Sequence, residues 1–91
     1  MMRSASYTAQ FNRDVKLAKK RGKDMSKLRT VITLLLTGNP LPRGLGDHPL
    51  KGEWKPSRDL HIESDWVLIY TLDNDIVRFE RTGTHADLFR N

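Results

Sequence analysis

The hydrophobic period of the chain changes once along its length. Between Phe11 and Leu35 apolar residues recur at helical spacing; from Leu60 onwards they recur at every second position or run without interruption. In the first stretch Phe11, Val15 and Ala18, with Leu17 beside them, mark one face of a helix that Thr8 caps and that runs to about Arg21. Gly22 is placed to end it, since glycine takes up the left-handed conformation at little cost. Asp24 caps a second helix to about Thr37, whose stripe is Met25, Leu28, Val31, Ile32 and Leu35, and Gly38, Pro40 and Pro42 stop it. So short a link predicts an antiparallel helical hairpin. Ahead of it, residues 3–7 form a brief first strand ending at Tyr7.

Residues 38–52 are a Gly- and Pro-rich loop carrying His48. In the strand that follows, Leu60 and Ile62 share one face while Asp59, His61 and Glu63 share the other. Trp66–Leu72 is apolar on both faces, as a central strand is. Asp73–Asp75 is a turn, and Ile76–Arg81 alternates again, with Val77 and Phe79 opposed to Arg78 and Glu80. The chain closes with Thr82-Gly83-Thr84-His85 and a short tail holding Leu88 and Phe89. The predicted class is α+β: a short N-terminal strand, then a helical hairpin packed on one face of a three- to four-stranded antiparallel sheet, its other face left for function.

Ninety-one residues without repeats or linkers are expected to make one domain, 1–91. The 37% hydrophobic content is low, yet the run Trp66–Leu72 is enough to seed a core and argues against disorder. There are no cysteines, which excludes disulfides and thiolate metal sites and fits the cytoplasm. Nothing at the N-terminus reads as a signal peptide, and no run approaches the roughly 20 apolar residues of a membrane span. The net charge of +5 is unevenly placed: residues 1–30 hold nine Lys/Arg and two Asp, giving 9 − 2 = +7. Residues 31–91 hold seven Lys/Arg and nine Asp/Glu, giving 7 − 9 = −2, and all three histidines. One end is therefore a cationic surface suited to a phosphate backbone, although a solvated helix face would read the same way.

His48, His61 and His85 fall in a loop, a strand and the C-terminal segment. Each has acidic or hydroxyl company in sequence: Asp47 with His48, Asp59 and Asp65 around His61, Thr84 with His85. Imidazole gives and takes protons near neutral pH. RNA cleavage without a metal needs such groups: a base for the 2′-hydroxyl, an acid for the departing 5′-oxygen, and a cation for the charge that builds on phosphorus. Arg58, Arg78 and Arg81 are available as the cation. Three histidines with carboxylates also suit zinc, but no HExxH or close H-x-H spacing supports it. Trp66 opens an apolar strand and reads as core; Trp54 and Phe89 are either packing residues or platforms for a base.

The strings Asp14-Val15-Lys16-Leu17-Ala18, Lys23-Asp24-Met25, Asp47-His48-Pro49-Leu50, Arg58-Asp59 followed by His61, Asp65-Trp66 and Phe79-Glu80-Arg81-Thr82-Gly83-Thr84-His85 resemble the YafQ toxins of the RelE superfamily over nearly the whole chain. Arg43-Gly44-Leu45-Gly46 and the tail Arg90-Asn91 depart from that pattern. The resemblance implies a type II toxin that enters the ribosomal A site and cuts the message there as a metal-independent endoribonuclease with no cofactor. Its partners would be a DinJ-like ribbon-helix-helix antitoxin, ribosomal RNA and mRNA, with operator DNA reached only through the antitoxin and no membrane. By motif, His48, His61, Asp65 and His85 form the catalytic set, and Asp59, Trp66, Arg81 and Phe89 place substrate. His85 is the expected acid, His48 or His61 the base, Asp65 the group that orients a histidine, and Arg81 the group facing phosphate. Arg13, Lys16, Lys19, Lys20 and Lys23 are the expected ribosome contacts. Three alternatives remain: a superfamily toxin aimed at DNA gyrase, which needs no proton shuttle; a non-catalytic nucleic-acid-binding module, indifferent to loss of the histidines; and a zinc enzyme, sensitive to chelators.

Overall fold

The computed structural model describes residues 2–89; the tail Arg90-Asn91 lies outside them. Strand β1 is Ser4–Tyr7, helix α1 Ala9–Lys20 and helix α2 Met25–Thr37. Then come β2 (His48–Pro49), β3 (Arg58–Glu63), β4 (Trp66–Asp73), β5 (Ile76–Gly83) and helix α3 (His85–Leu88). Single 3₁₀ turns at Arg43–Leu45 and Gly52–Trp54 shape the segment around β2.

Both long helices start where their side chains can satisfy free N–H groups. Thr8 Oγ1 accepts from Phe11 N at 2.9 Å, and Asp24 Oδ1 from Ser26 N at 3.0 Å. Helix α2 ends at Gly38, whose φ of 71° lets its N–H turn back onto the last carbonyls. Phe11 and Ala18 from α1 and Leu28, Val31 and Leu35 from α2 pack on Leu60, Trp66, Leu68, Tyr70, Val77 and Phe79 of the sheet. Tyr7, Phe11 and Phe79 stack in sequence, with ring centroids 5.3–5.7 Å apart, and fix the corner where β1 turns into α1.

The sheet has five strands in the order β1-β5-β4-β3-β2. The pairs from β2 to β5 are antiparallel, but β1 runs parallel to β5, so the sheet is mixed rather than wholly antiparallel. A parallel edge follows from connectivity: the helical hairpin carries the chain across one face before the remaining strands are laid down. The second face is not bare. Val67 and Ile69 of β4 are covered there by Leu88, with Leu50, Trp54 and Phe89 at the margin. The segment expected to be a simple tail is thus helix α3, held by a reciprocal cap between Thr84 and Asp87.

Two register shifts redirect side chains. One, between His61 and Glu63, breaks the expected alternation: Glu63 leaves the face of Asp59 and His61 and pairs with Lys27 of α2 at 2.9 Å. The other, opposite Ile69 and Tyr70, falls at Glu80 and turns Arg81 towards Asp14. Asp14, almost fully buried, accepts from Thr82 N at 3.1 Å and from Arg81 Nε at 2.8 Å. It takes the place of a ladder partner along the part of β5 that β1 does not reach.

Candidate active site

Around His61 the fold builds two histidine–carboxylate pairs that sequence neighbourhood does not reveal. In β2–β3 pairing His48 lies opposite Asp59. Its Nδ1 is 2.9 Å from Gly46 O and 3.0 Å from Asp59 Oδ1. Both neighbours can only accept, so Nδ1 carries a proton and neutral His48 keeps its lone pair on Nε2. The N–H is aligned with the Gly46 carbonyl, so the Asp59 contact is not a second hydrogen bond and becomes an ion pair only when His48 is protonated. Asp59 Oδ1 is left buried without a hydrogen-bond partner. Burial pushes the Asp59 carboxyl above its ordinary range, and the three histidines, His48 first, pull it back.

The second pair is His85 with Asp65. Asp65 Oδ1 accepts from both the backbone N and Nδ1 of His85, at 2.9 and 2.7 Å. The backbone bond, then the side-chain bond, hold the Asp65 carboxyl below its usual range, so it stays ionised at neutral pH. His85 sits in the first turn of α3, and Asp65 in the β3–β4 turn. His61 lies between the pairs: its Nε2 is 3.3 Å from His85 Nε2. On its other side, a Cβ added to Gly46 would come within 3.3 Å of its Nδ1. The two Nε2 atoms are close enough to share one N–H, and which ring donates follows from their tautomers. His48 and His85 are about half exposed, so a substrate can reach both.

The sequence-derived candidates separate here. His48, His61, Asp59, Asp65 and His85 come together. Phe89 stands beside them, its ring 6.2 Å from His85 and edge-on to Trp54 at 5.8 Å. Trp66 does not join them: it is 1% exposed, in the main core, with Nε1 donating to Thr82 Oγ1 at 2.9 Å, and so offers no face to a base. Arg81, expected to face a phosphate, is held by Asp14 through Nε and Nη2. Arg58 is likewise engaged, by Asp47, and Arg78 by Glu80. Asp47 is therefore not the partner of His48, and Thr84 caps α3 rather than contacting the His85 ring. Arg13, Lys16, Lys19 and Lys20 stand exposed on α1, whereas Lys23 is partly buried, paired with Glu63 and lying over the Trp66 ring. Among the described residues no three His, Asp or Glu side chains are grouped as a metal ion would need.

Three imidazoles, two of them paired with carboxylates, stand together at the margin of an otherwise packed sheet face, a set chemically able to give and take protons. Residues 3–90 match the bacterial toxins of type II toxin–antitoxin systems described as YafQ, and the chain belongs to that family. It is 54% identical over 90 residues to the mRNA interferase toxin YafQ of Escherichia coli (strain K12), with 98% of each chain covered. The E. coli DinJ–YafQ toxin–antitoxin complex contains a chain that superposes with a TM-score of 0.91 at 54% identity, covering 98% of this chain and 99% of that one. A metal-bound toxin from Helicobacter pylori superposes with a TM-score of 0.90 at 33% identity, covering 97% and 100%.

Proposed function

We propose that this chain is the toxin of a type II toxin–antitoxin pair and acts as an mRNA interferase, an endoribonuclease that cuts messages in the ribosomal A site. A DinJ-like antitoxin is its inhibitor, and the whole chain acts as one domain. The observation that carries this reading is the pair of His–Asp couples flanking His61. His48, with Nδ1–H fixed and Nε2 free, takes the proton of the 2′-hydroxyl, and the buried Asp59 charge supports the imidazolium that results. The freed 2′-oxygen attacks phosphorus. The bond to the 5′-oxygen breaks as His85, protonated and braced by Asp65, donates from Nε2. The products are a 2′,3′-cyclic phosphate and a 5′-hydroxyl. Afterwards His48 releases to solvent the proton it took and His85 regains one from solvent, which reaches both half-exposed rings, and the site is back in its starting protonation.

Single-turnover cleavage on programmed ribosomes tests this. His48→Ala and His85→Ala should each slow cleavage by roughly 10²–10⁴-fold, with ribosome affinity retained and a melting temperature close to the parent's. Parental rates in both would end the nuclease reading and favour gyrase or simple nucleic-acid binding. Toxin treated with a chelator and freed of it before mixing with programmed ribosomes in Mg²⁺ should cut at the parental rate; a loss that zinc restores would reinstate a metal.

A further inference from the structure

The segment Leu45–His48 supplies both Gly46, which lies against His61, and His48 itself, so whatever fixes this segment sets two of the three imidazoles. Leu45 packs into the main core. Two residues on, the Asp47 carboxylate accepts from Arg58 Nη2 at 2.8 Å and from the Tyr70 hydroxyl. Arg58 and Tyr70 face each other across the β3–β4 pair, and Tyr70 is 1% exposed in the central strand. Burial, then the bond to Asp47, push the Tyr70 hydroxyl above its ordinary range, so it stays a donor at any working pH. The Arg58 guanidinium is held charged by the same carboxylate. Asp47 is thus tied to two donors that cannot lose their protons.

We infer that Asp47, Tyr70 and Arg58 form a positioning triad that locks Gly46 beside His61 and His48 beside Asp59. They touch no reacting atom. They keep Gly46 O in place to receive His48 Nδ1–H, and so keep the His48 lone pair on Nε2, where the base needs it. They also hold the Gly46 backbone against His61 Nδ1, leaving Nε2 of that ring directed at His85. If the anchor is released, His48 can turn over or change tautomer, although every group of both His–Asp pairs is still present.

The inference rests on the ribonuclease reading of the same site, and the test separates the two. Tyr70→Phe removes one hydroxyl and keeps the ring that fills the core; Asp47→Asn keeps the shape and removes the charge. On programmed ribosomes each should lower the saturating single-turnover rate by about 5- to 100-fold, the scale set by small misplacements of reacting groups, with half-saturation unchanged. Nitrogen-detected imidazole spectra should show His48 losing its single Nδ1–H form, while His85, braced by Asp65, keeps its own. A parental rate and unmoved His48 signals in Tyr70→Phe would overturn the triad, as would a loss confined to half-saturation. Tyr70→Phe preserves the core, so it remains decisive if Asp47→Asn folds poorly. If His85→Ala in the same assay also cuts at the parental rate, the ribonuclease reading itself has failed; if only Tyr70→Phe does, the positioning triad alone has.

Discussion

At the scale of single residues the most informative one is Asp59, because its placement is unfavourable to the fold. A carboxylate oxygen buried with no hydrogen bond costs stability whenever it is charged. Its carboxyl is raised from 3.8, so the sign of the pH dependence is opposite to that of a surface aspartate. The protein does not bear this cost in acid, where Asp59 is neutral in both states. The cost appears as pH rises past 3.8 and is complete once pH has passed the raised folded value. Asp59→Asn should therefore melt higher than the parent at neutral pH, by about 4–8 °C for each kcal/mol relieved. The gain should shrink on acidification, and cleavage should fall because the His48 imidazolium loses its support. Melting curves at neutral and acid pH check the first part. A variant less stable at neutral pH would mean that His48 already compensates Asp59 in full.

At the scale of elements, both long helices and the central strand were legible from period and caps: Thr8, Asp24 and Gly38 stand where the apolar stripes begin or end. The His48–Asp59 and His85–Asp65 couples were not legible, since each joins residues at least eleven apart in the chain through strand register or a turn. Sequence proximity offers Asp47 to His48, but the Arg58 and Tyr70 donors claim it. The register shifts at His61/Glu63 and opposite Ile69/Tyr70 carry no residue signature, and they alone decide where Glu63 and Arg81 point. Helix α3 had a readable signal in Thr84 followed three residues later by Asp87, a capping pattern that its four-residue length obscured. Two predictions belong to these connecting elements. Gly46 has a φ of 62°, and a Cβ there would press on His61, so Gly46→Ala should cost about 1–2 kcal/mol and lower cleavage beyond what the melting shift explains. Equal loss in both would reduce Gly46 to a turn residue. For α3, the bond from Arg21 holds the Asp87 carboxyl down to about 2, against 3.8. That stabilisation is present above 3.8 and disappears as pH falls towards 2. It is on the order of 1 kcal/mol once solvent screening of the exposed Arg21 is allowed for. Asp87→Asn should thus melt below the parent at pH 6 and converge with it by about pH 2; a constant gap would point to the cap rather than the charge.

At the scale of the whole molecule, the histidines and the basic residues of α1 stand on different elements, with Arg21 and Lys23 reaching across to Asp87 and Glu63. The first 30 residues carry +7 and form β1, α1 and the start of α2, whereas the histidines lie on the far strands and α3. Among the described residues no helix is long and apolar enough to cross a membrane. On α1 the lysines Lys16, Lys19 and Lys20 are exposed and make no ion pair among the described residues, which leaves them free for a polyanion. A ribosome held through them would be bound by counterion release, while cutting would depend on groups that they do not touch. The two functions should therefore come apart on mutation. Replacing Lys16, Lys19 and Lys20 together with Ala should weaken ribosome binding and flatten its dependence on salt. If each lysine neutralises one phosphate, the slope of log affinity against log salt should lose about 2–3. The melting temperature should change little, because all three side chains are exposed. At saturating ribosome the single-turnover rate should equal the parent's, since both His–Asp couples are intact. Titrations at several salt concentrations, read alongside that rate, decide the matter. An unchanged slope would place docking on another surface, and a lower saturated rate would mean that the helix also orients the message within the site.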